Sequence, residues 1–284
     1  MQGAACPPRP KGLGIHAEYL MNRATSSASR VYPSMPLASG YERTIRVQRA
    51  EPNDLFEIAM TARRVFDLTA DPAPIADVLS ADPMLVPLVA RRPGLRMPGV
   101  WGTFECAVRG VLGQKISVSS ARVLAERLVQ RFGDRIGAAS NGLTHLFPSP
   151  QKLVNANLND IGLTAPQIAG LHELARAVLD GTVKLSAQAD EVVRALNELP
   201  GVDNWTAQYV AMRALGEPDA FPCSDLVIRR ASAGARSALS VEAMRHRAEV
   251  WRPWRGYATL HLWQLGEDAD AKAGPGGGRP RPPV

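Results

Sequence analysis

The chain has few cysteines, lysines and histidines. Its three cysteines, Cys6, Cys106 and Cys223, are far apart in 284 residues and form no Cys-x-x-Cys pair. That spacing excludes a zinc ribbon and an iron–sulfur loop. Cys106 falls on an apolar helical stripe and reads as a small buried hydrophobe. No run approaches the roughly 18 uninterrupted apolar residues that span a bilayer. The opening MQGAACPPRPKGLG has no apolar core of a secretory signal. The chain therefore reads as cytoplasmic, without a membrane partner. Only five of its 33 basic residues are lysine. Arginine dominance with abundant alanine points to a GC-rich bacterial genome more than to chemistry.

Hydrophobic residues make up 45% and charged residues 21%, enough apolar content to build a core. The net charge is +6, and its placement is uneven. Six Lys/Arg stand against three Asp/Glu over residues 101–135, and seven against three over 225–263. Such basic segments suit a nucleic-acid surface and equally an ordinary solvated one.

Residues 1–40 mix Pro, Gly, Ser and Arg without periodicity and read as disordered, as does the Gly/Pro-rich tail 267–284. Residues 41–100 read as a reduced N-terminal unit with connecting helices. In it Tyr41–Val47 alternates like a strand that lacks a partner, a helical pattern covers Leu55–Phe66, and prolines break Asp71–Pro98 into short helices. From Trp101 to residue 266 the periodicity is helical throughout, and the class is mostly α. Ser117 is placed to cap a helix that stops before Gly133. Further helices are expected over Pro148–Leu158, Ala165–Leu179, Asp190–Leu199, Trp205–Leu215, Asp225–Ala235, Val241–Val250 and Trp254–Leu265.

Two places carry candidate chemistry. Pro200 and Gly201 stop one helix, and Thr206 lies in the first turn of the next. The hairpin over residues 195–215 thus presents backbone N–H groups and a helix start together, which can grip a phosphate. The same pattern also fits a plain helical corner. Asp225 stands at a helix start, where a carboxylate is commonly an N-cap. It also comes after the hairpin at a distance that could face a nucleotide held there.

Three blocks, Phe104–Val118 (FECAVRGVLGQKISV), Leu199–Arg213 with Asp219–Arg230 (LPGVDNWTAQYVAMR, DAFPCSDLVIRR) and Trp251–Trp263 (WRPWRGYATLHLW), resemble the DNA-3-methyladenine glycosylase II family of the helix-hairpin-helix DNA glycosylase superfamily. With RRVFDLTADP at 63–72, the similarity covers about 63–265. It implies a two-lobe helical fold with its site in the cleft and an N-terminal sheet domain that is reduced or missing here. It implies Asp225 as the catalytic carboxylate and Trp205 and Trp263 as walls of the base pocket. Tyr209, one turn beyond Trp205, reads first as core and second as a further pocket residue. The resemblance places Gln114 and Lys115 in a loop that enters the minor groove. It places Gly201, Val202, Asp203, Asn204 and Thr206 in the phosphate-binding hairpin. No organic cofactor or protein-ligated metal is implied, although backbone carbonyls of such hairpins can hold a monovalent cation. The expected partner is duplex DNA carrying alkylated bases, met by a monomer in the bacterial nucleoid.

The residue chemistry agrees with those roles. Cleaving an N-glycosidic bond in a duplex requires the nucleotide to be flipped out. A carboxylate then stabilises the oxocarbenium-like sugar and orients water. A cationic alkylpurine stacks well on indole and leaves without strong acid assistance. Members that also nick the strand carry a lysine at the position of Trp205, which forms a Schiff base. Tryptophan cannot, so hydrolysis without strand cleavage is expected. A DNA-binding remnant without turnover is the alternative, although pure binding needs neither Asp225 nor the tryptophan pair. The chain departs from the family at Lys115, where Gln or an apolar residue is usual, and at Asp203, where a second glycine is usual. A positive φ is expected at Asp203, with its carboxylate close enough to a DNA phosphate to weaken the grip of the hairpin; the alternative is that Asp203 turns away and caps the helix beginning near Trp205. No Pro-Cys-His-Arg methyl-acceptor motif is present.

Overall fold

In the computed structural model, residues 30–33, 45–48, 52–140, 143–234 and 237–273 are described. The N-terminal part contains β1 (Arg30–Pro33) and β2 (Ile45–Gln48), paired antiparallel with Val31 opposite Val47. This corrects two expectations. The region 1–40 contains a strand, and the alternating segment ending at Val47 has a partner. The rest of 1–40 lies outside the described residues.

Helices come next: α1 (Pro52–Val65), α2 (Pro72–Leu79), α3 (Val86–Arg91), α4 (Thr103–Gly113) and α5 (Val118–Phe132). After them stands a hairpin of β3 (Arg135–Ser140) and β4 (Leu143–His145), which the reading of unbroken helix beyond Trp101 missed. Then come α6 (Pro150–Leu153), α7 (Ala165–Asp180), α8 (Ala189–Asn197), α9 (Asn204–Val210), α10 (Leu226–Ala231), α11 (Val241–Arg247) and α12 (Arg255–Ala273). The helix expected over Trp205–Leu215 is α9 followed by one wide π turn, Ala211–Leu215. The expected tail from residue 267 is helical to Ala273. Residues 274–284 lie outside the described residues. No described helix is long and apolar enough to cross a membrane.

Local chemistry sets these boundaries. Asp71 caps α2, with proline at its start. Ser117 caps α5 through the Ser120 N–H. Thr164 and Gln167 form a reciprocal capping box on α7. The Gln167 amide also donates to Leu112 O at 3.1 Å, tying the start of α7 to the end of α4. At the core of this half, Val108, Val111, Leu112, Leu171, Leu174, Ala207 and Val210 are all fully buried. Burying each large aliphatic side chain contributes about 1.5–3 kcal/mol.

Residues 52–100 and 217–265 pack together, with α12 against α3 and α10, and α2 against the 3-10 turn Ala248–Trp251. Polar ties cross this seam. The buried Asp82 carboxylate accepts from Arg247 at 3.1 Å and from the Trp251 indole at 2.9 Å. The Asp67 carboxylate accepts from the Tyr257 hydroxyl at 2.8 Å and the Met97 N–H at 2.9 Å. The segment 103–215 forms the other body, and the candidate site lies where the two meet.

Candidate active site and nucleic-acid interface

Asp225 is the N-cap of α10. Its Oδ1 accepts from the backbone N–H of Val227 at 2.7 Å and of Ile228 at 3.0 Å. Its Oδ2 accepts from the Trp205 indole N–H at 2.9 Å, across the boundary between the bodies. The residue is 6% exposed. Burial raises the affinity of its carboxyl for a proton, and the Trp205 and backbone hydrogen bonds oppose that shift. Asp225 is therefore both a structural cap and a buried charge, and it forms no ion pair among the described residues.

Trp205 and Trp263 flank this carboxylate. Trp263 is buried on α12, and its indole N–H lies near enough to favour the Asp225 charge without closing a hydrogen bond among the described residues. The Trp205 ring stacks on Tyr209 with centroids 5.2 Å apart and planes 10° from parallel. Tyr209 is 1% exposed and backs Trp205 from inside the core, which fits the first of its two sequence readings.

The hairpin is built by close backbone approach. Gly201 has φ +79°, and a Cβ there would come within 2.7 Å of Pro166 O and 2.9 Å of the Gly170 Cα. Only glycine fits both demands. Asp203 has φ −91°, so the expected positive φ at that position is wrong. Asp203 is instead the N-cap of α9, accepting from the Thr206 N–H at 2.8 Å. A carboxylate that caps a helix start needs no left-handed backbone.

That cap changes the expected phosphate grip. Thr206 is 1% exposed, its N–H is taken by Asp203, and its hydroxyl accepts from Gln114. Thr206 is thus a buried clasp, which corrects its assignment to direct DNA contact. Val202 is buried as well, and its N–H donates to Leu199 O, so its assignment is corrected on the same ground. Gly201, Asp203 and Asn204 remain exposed. The first-turn N–H of Asn204 is among the donors a helix start leaves without an intrahelical acceptor.

Gln114 points inward to the hairpin. Its amide donates to Thr206 Oγ1 at 2.9 Å, to Gly201 O at 3.1 Å and toward Asp203 Oδ1 at 3.4 Å. Sequence reasoning placed Gln114 at the DNA and missed this tie, because a partner 87 or more residues away leaves no local signal. Lys115 is the exposed tip of the same loop and has φ +60°. For a residue with a Cβ, that conformation costs about 1–2 kcal/mol, and the fixed Gln114 beside it helps hold it.

Cys106 is buried on α4, and burial pushes its thiol up to about 12. It is an inert core residue, as read. No group of three or more metal-ligating side chains is assembled among the described residues.

Comparison with known proteins matches residues 37–102 to the AlkA N-terminal domain and residues 108–255 to the HhH-GPD superfamily base excision DNA repair proteins. The first match spans the segment 41–100 that reads from sequence as a reduced N-terminal unit. The chain is 39% identical over 217 residues to the probable bifunctional transcriptional activator/DNA repair enzyme AlkA of Mycobacterium tuberculosis H37Rv, covering 74% of this chain and 43% of that protein. It thus spans less than half of that relative. It is 36% identical over 205 residues to DNA-3-methyladenine glycosylase 2 of Escherichia coli K12, covering 70% of this chain and 68% of that one. Among solved structures, 3-methyladenine DNA-glycosylase from Archaeoglobus fulgidus superposes with a TM-score of 0.71 at 24% identity, covering 88% and 86% of the two chains. The Schizosaccharomyces pombe 3-methyladenine DNA glycosylase bound to abasic DNA gives 0.58 at 21% identity, covering 70% and 98%. At these identities the structural likeness speaks for the fold.

Proposed function

Since the chain belongs to the HhH-GPD superfamily of base excision DNA repair proteins, we propose that it is a DNA N-glycosylase acting on alkylated purines of the 3-methyladenine type in duplex DNA. The names of its relatives support that substrate class. The observation that carries the reading is Asp225: a buried carboxylate, without a counter-cation among the described residues, between two indoles at the meeting of the two bodies.

The chemistry rests on that placement. The flipped base sits against Trp205 and Trp263. The C1′–N bond breaks and its electron pair leaves with the base, neutralising a cationic alkylpurine. The positive charge left on the sugar faces the Asp225 carboxylate, which is worth more there than in water because solvent is excluded. The oxygen of a water molecule then bonds to C1′, and one of its protons passes to Asp225 and on to solvent. The products are a free base and an abasic site.

Trp205 at the hairpin supports hydrolysis without strand cleavage, since an indole cannot form a Schiff base. The Lys115 tip and the exposed hairpin face support contact with the DNA backbone, by a protein acting as a monomer in the cytoplasm. A monovalent cation is compatible with the hairpin. Leu199 O accepts from Val202 N–H and Gly201 O from Gln114, and each carbonyl oxygen has a second lone pair. Such a cation would add positive charge beside a phosphate and takes no part in bond cleavage.

Incubation with methylated duplex DNA tests the reading. Free alkylated purines and alkali-labile abasic sites are expected, and borohydride should trap no covalent protein–DNA adduct. Absence of released base overturns the glycosylase assignment, and a trapped adduct overturns the monofunctional one.

A further inference from the structure

The Asp225 carboxylate is pinned at one oxygen by α10 itself, through the Val227 and Ile228 N–H groups. Those two bonds alone would leave the torsion that sets the plane of the carboxylate poorly defined, because such torsions are broad. The second oxygen is fixed from the other body, by the Trp205 indole N–H at 2.9 Å. Trp205 is itself rigid, since it is buried and stacked on the fully buried Tyr209.

We propose that Trp205 is a positioning residue for Asp225. Its N–H holds Oδ2 in place and keeps the carboxylate charged towards the sugar, a duty separate from the wall its ring gives the base. This rests on Asp225 being the reacting carboxylate. Burial favours the protonated form of Asp225, and the Trp205 hydrogen bond is the foremost opposing cause. The titratable and charged groups with described side chains on the elements packed around it are Tyr209 of α9, Arg213 of the π turn, Cys223, Arg229 and Arg230 of α10, and Arg255, Tyr257 and His261 of α12. None of them is a leading cause of its shift. The Trp263 N–H closes no hydrogen bond among the described residues and is the last of the causes that favour the charge, so the two indoles are not equivalent.

Trp205→Phe keeps an aromatic ring to stack on Tyr209 and removes the N–H. Two readouts are needed. One is the pH profile of kcat/KM on methylated duplex. The other is the ¹³C carboxyl titration of Asp225 in the DNA-free protein, assigned by its loss in Asp225→Asn. Losing a hydrogen bond that favours the charged form raises the proton affinity. The carboxyl midpoint and the acid limb of the profile should therefore both move to higher pH, by about one unit. In Trp263→Phe the midpoint should move less than half as far. If Trp205→Phe loosens the stack in a thermal melt, benzothienylalanine at position 205 replaces it, keeping the bicyclic shape without the N–H. An unmoved midpoint overturns the positioning bond and leaves the glycosylase reading intact. A moved midpoint with an unmoved acid limb overturns its part in the reaction. Failure of the wild-type protein to release base is a different result, and it overturns the glycosylase reading itself.

Discussion

Asp225 and Asp203 are both helix N-caps, and their surroundings give them different work. Asp203 is exposed and satisfies the start of α9, next to the expected path of a DNA phosphate. Its charge was expected to weaken the phosphate grip, but the structure puts its main effect on stability. Asp203→Gly should lower the melting temperature and leave non-specific duplex binding no tighter. Capping data put the loss at a few tenths of a kcal/mol for glycine and about 1 kcal/mol for alanine. A melt of each variant alongside a binding isotherm at low salt checks this, and tighter binding with an unchanged melt would contradict it. Lys115, by contrast, has its charge in solvent at a loop tip. Lys115→Leu keeps a Cβ, so the backbone strain is unchanged. It should flatten the salt dependence of DNA binding by roughly one unit of log–log slope. An unchanged slope would show that Lys115 does not meet DNA.

At the scale of elements, the hairpin and the helix holding Asp225 were legible because their signals are local. Pro200–Gly201 punctuates the chain between α8 and α9, and Asp225 caps α10. The choice between the two roles of Asp203 was not legible, because an Asp there is compatible with either a left-handed turn or an N-cap. The β1–β2 pair escaped for a different reason: a four-residue strand in a Pro- and Ser-rich stretch has no periodicity to detect. The helix α12 carries a pH signature that sequence also could not show. Its His261 is 3% exposed with Nδ1 unpaired among the described residues, and burial, aided by Arg92, lowers its pKa from 6.5 to about 4. The unfolded chain therefore binds a proton at His261 that the folded chain refuses. The stability this contributes is complete above pH 6.5 and is lost as the pH falls toward 4. The interval corresponds to about 3 kcal/mol. His261→Leu should flatten the stability of the protein across that range in denaturant titrations. A slope equal to that of wild type would contradict a neutral buried His261.

At the scale of the molecule, the side chains proposed to act on the substrate come from both bodies, so the proposed site exists only when they are packed together. Trp205 comes from the hairpin body, and Asp225 and Trp263 come from the body that also contains residues 52–100. The ties that hold the second body together, Asp82 to Arg247 and Trp251 and Asp67 to Tyr257, join residues 165 to 190 positions apart. Partners that distant leave no pattern in a single sequence, whereas the three motif blocks that fix the fold do. In the proposed reaction the Asp225 charge drives release of an alkylated base. The most direct test is a single-turnover comparison of wild type and Asp225→Asn on methylated duplex, with binding and melting measured on the same samples. The introduced amide can keep the cap through its oxygen, while its NH₂ would oppose the Trp205 N–H. An unpaired buried donor costs about 1–3 kcal/mol, and removal of the buried charge offsets part of that. The variant should therefore stay folded and bind duplex as wild type does, while base release falls by about 10²–10³-fold. Release at the wild-type rate from folded, DNA-bound Asp225→Asn would show that the Asp225 charge does not drive base release.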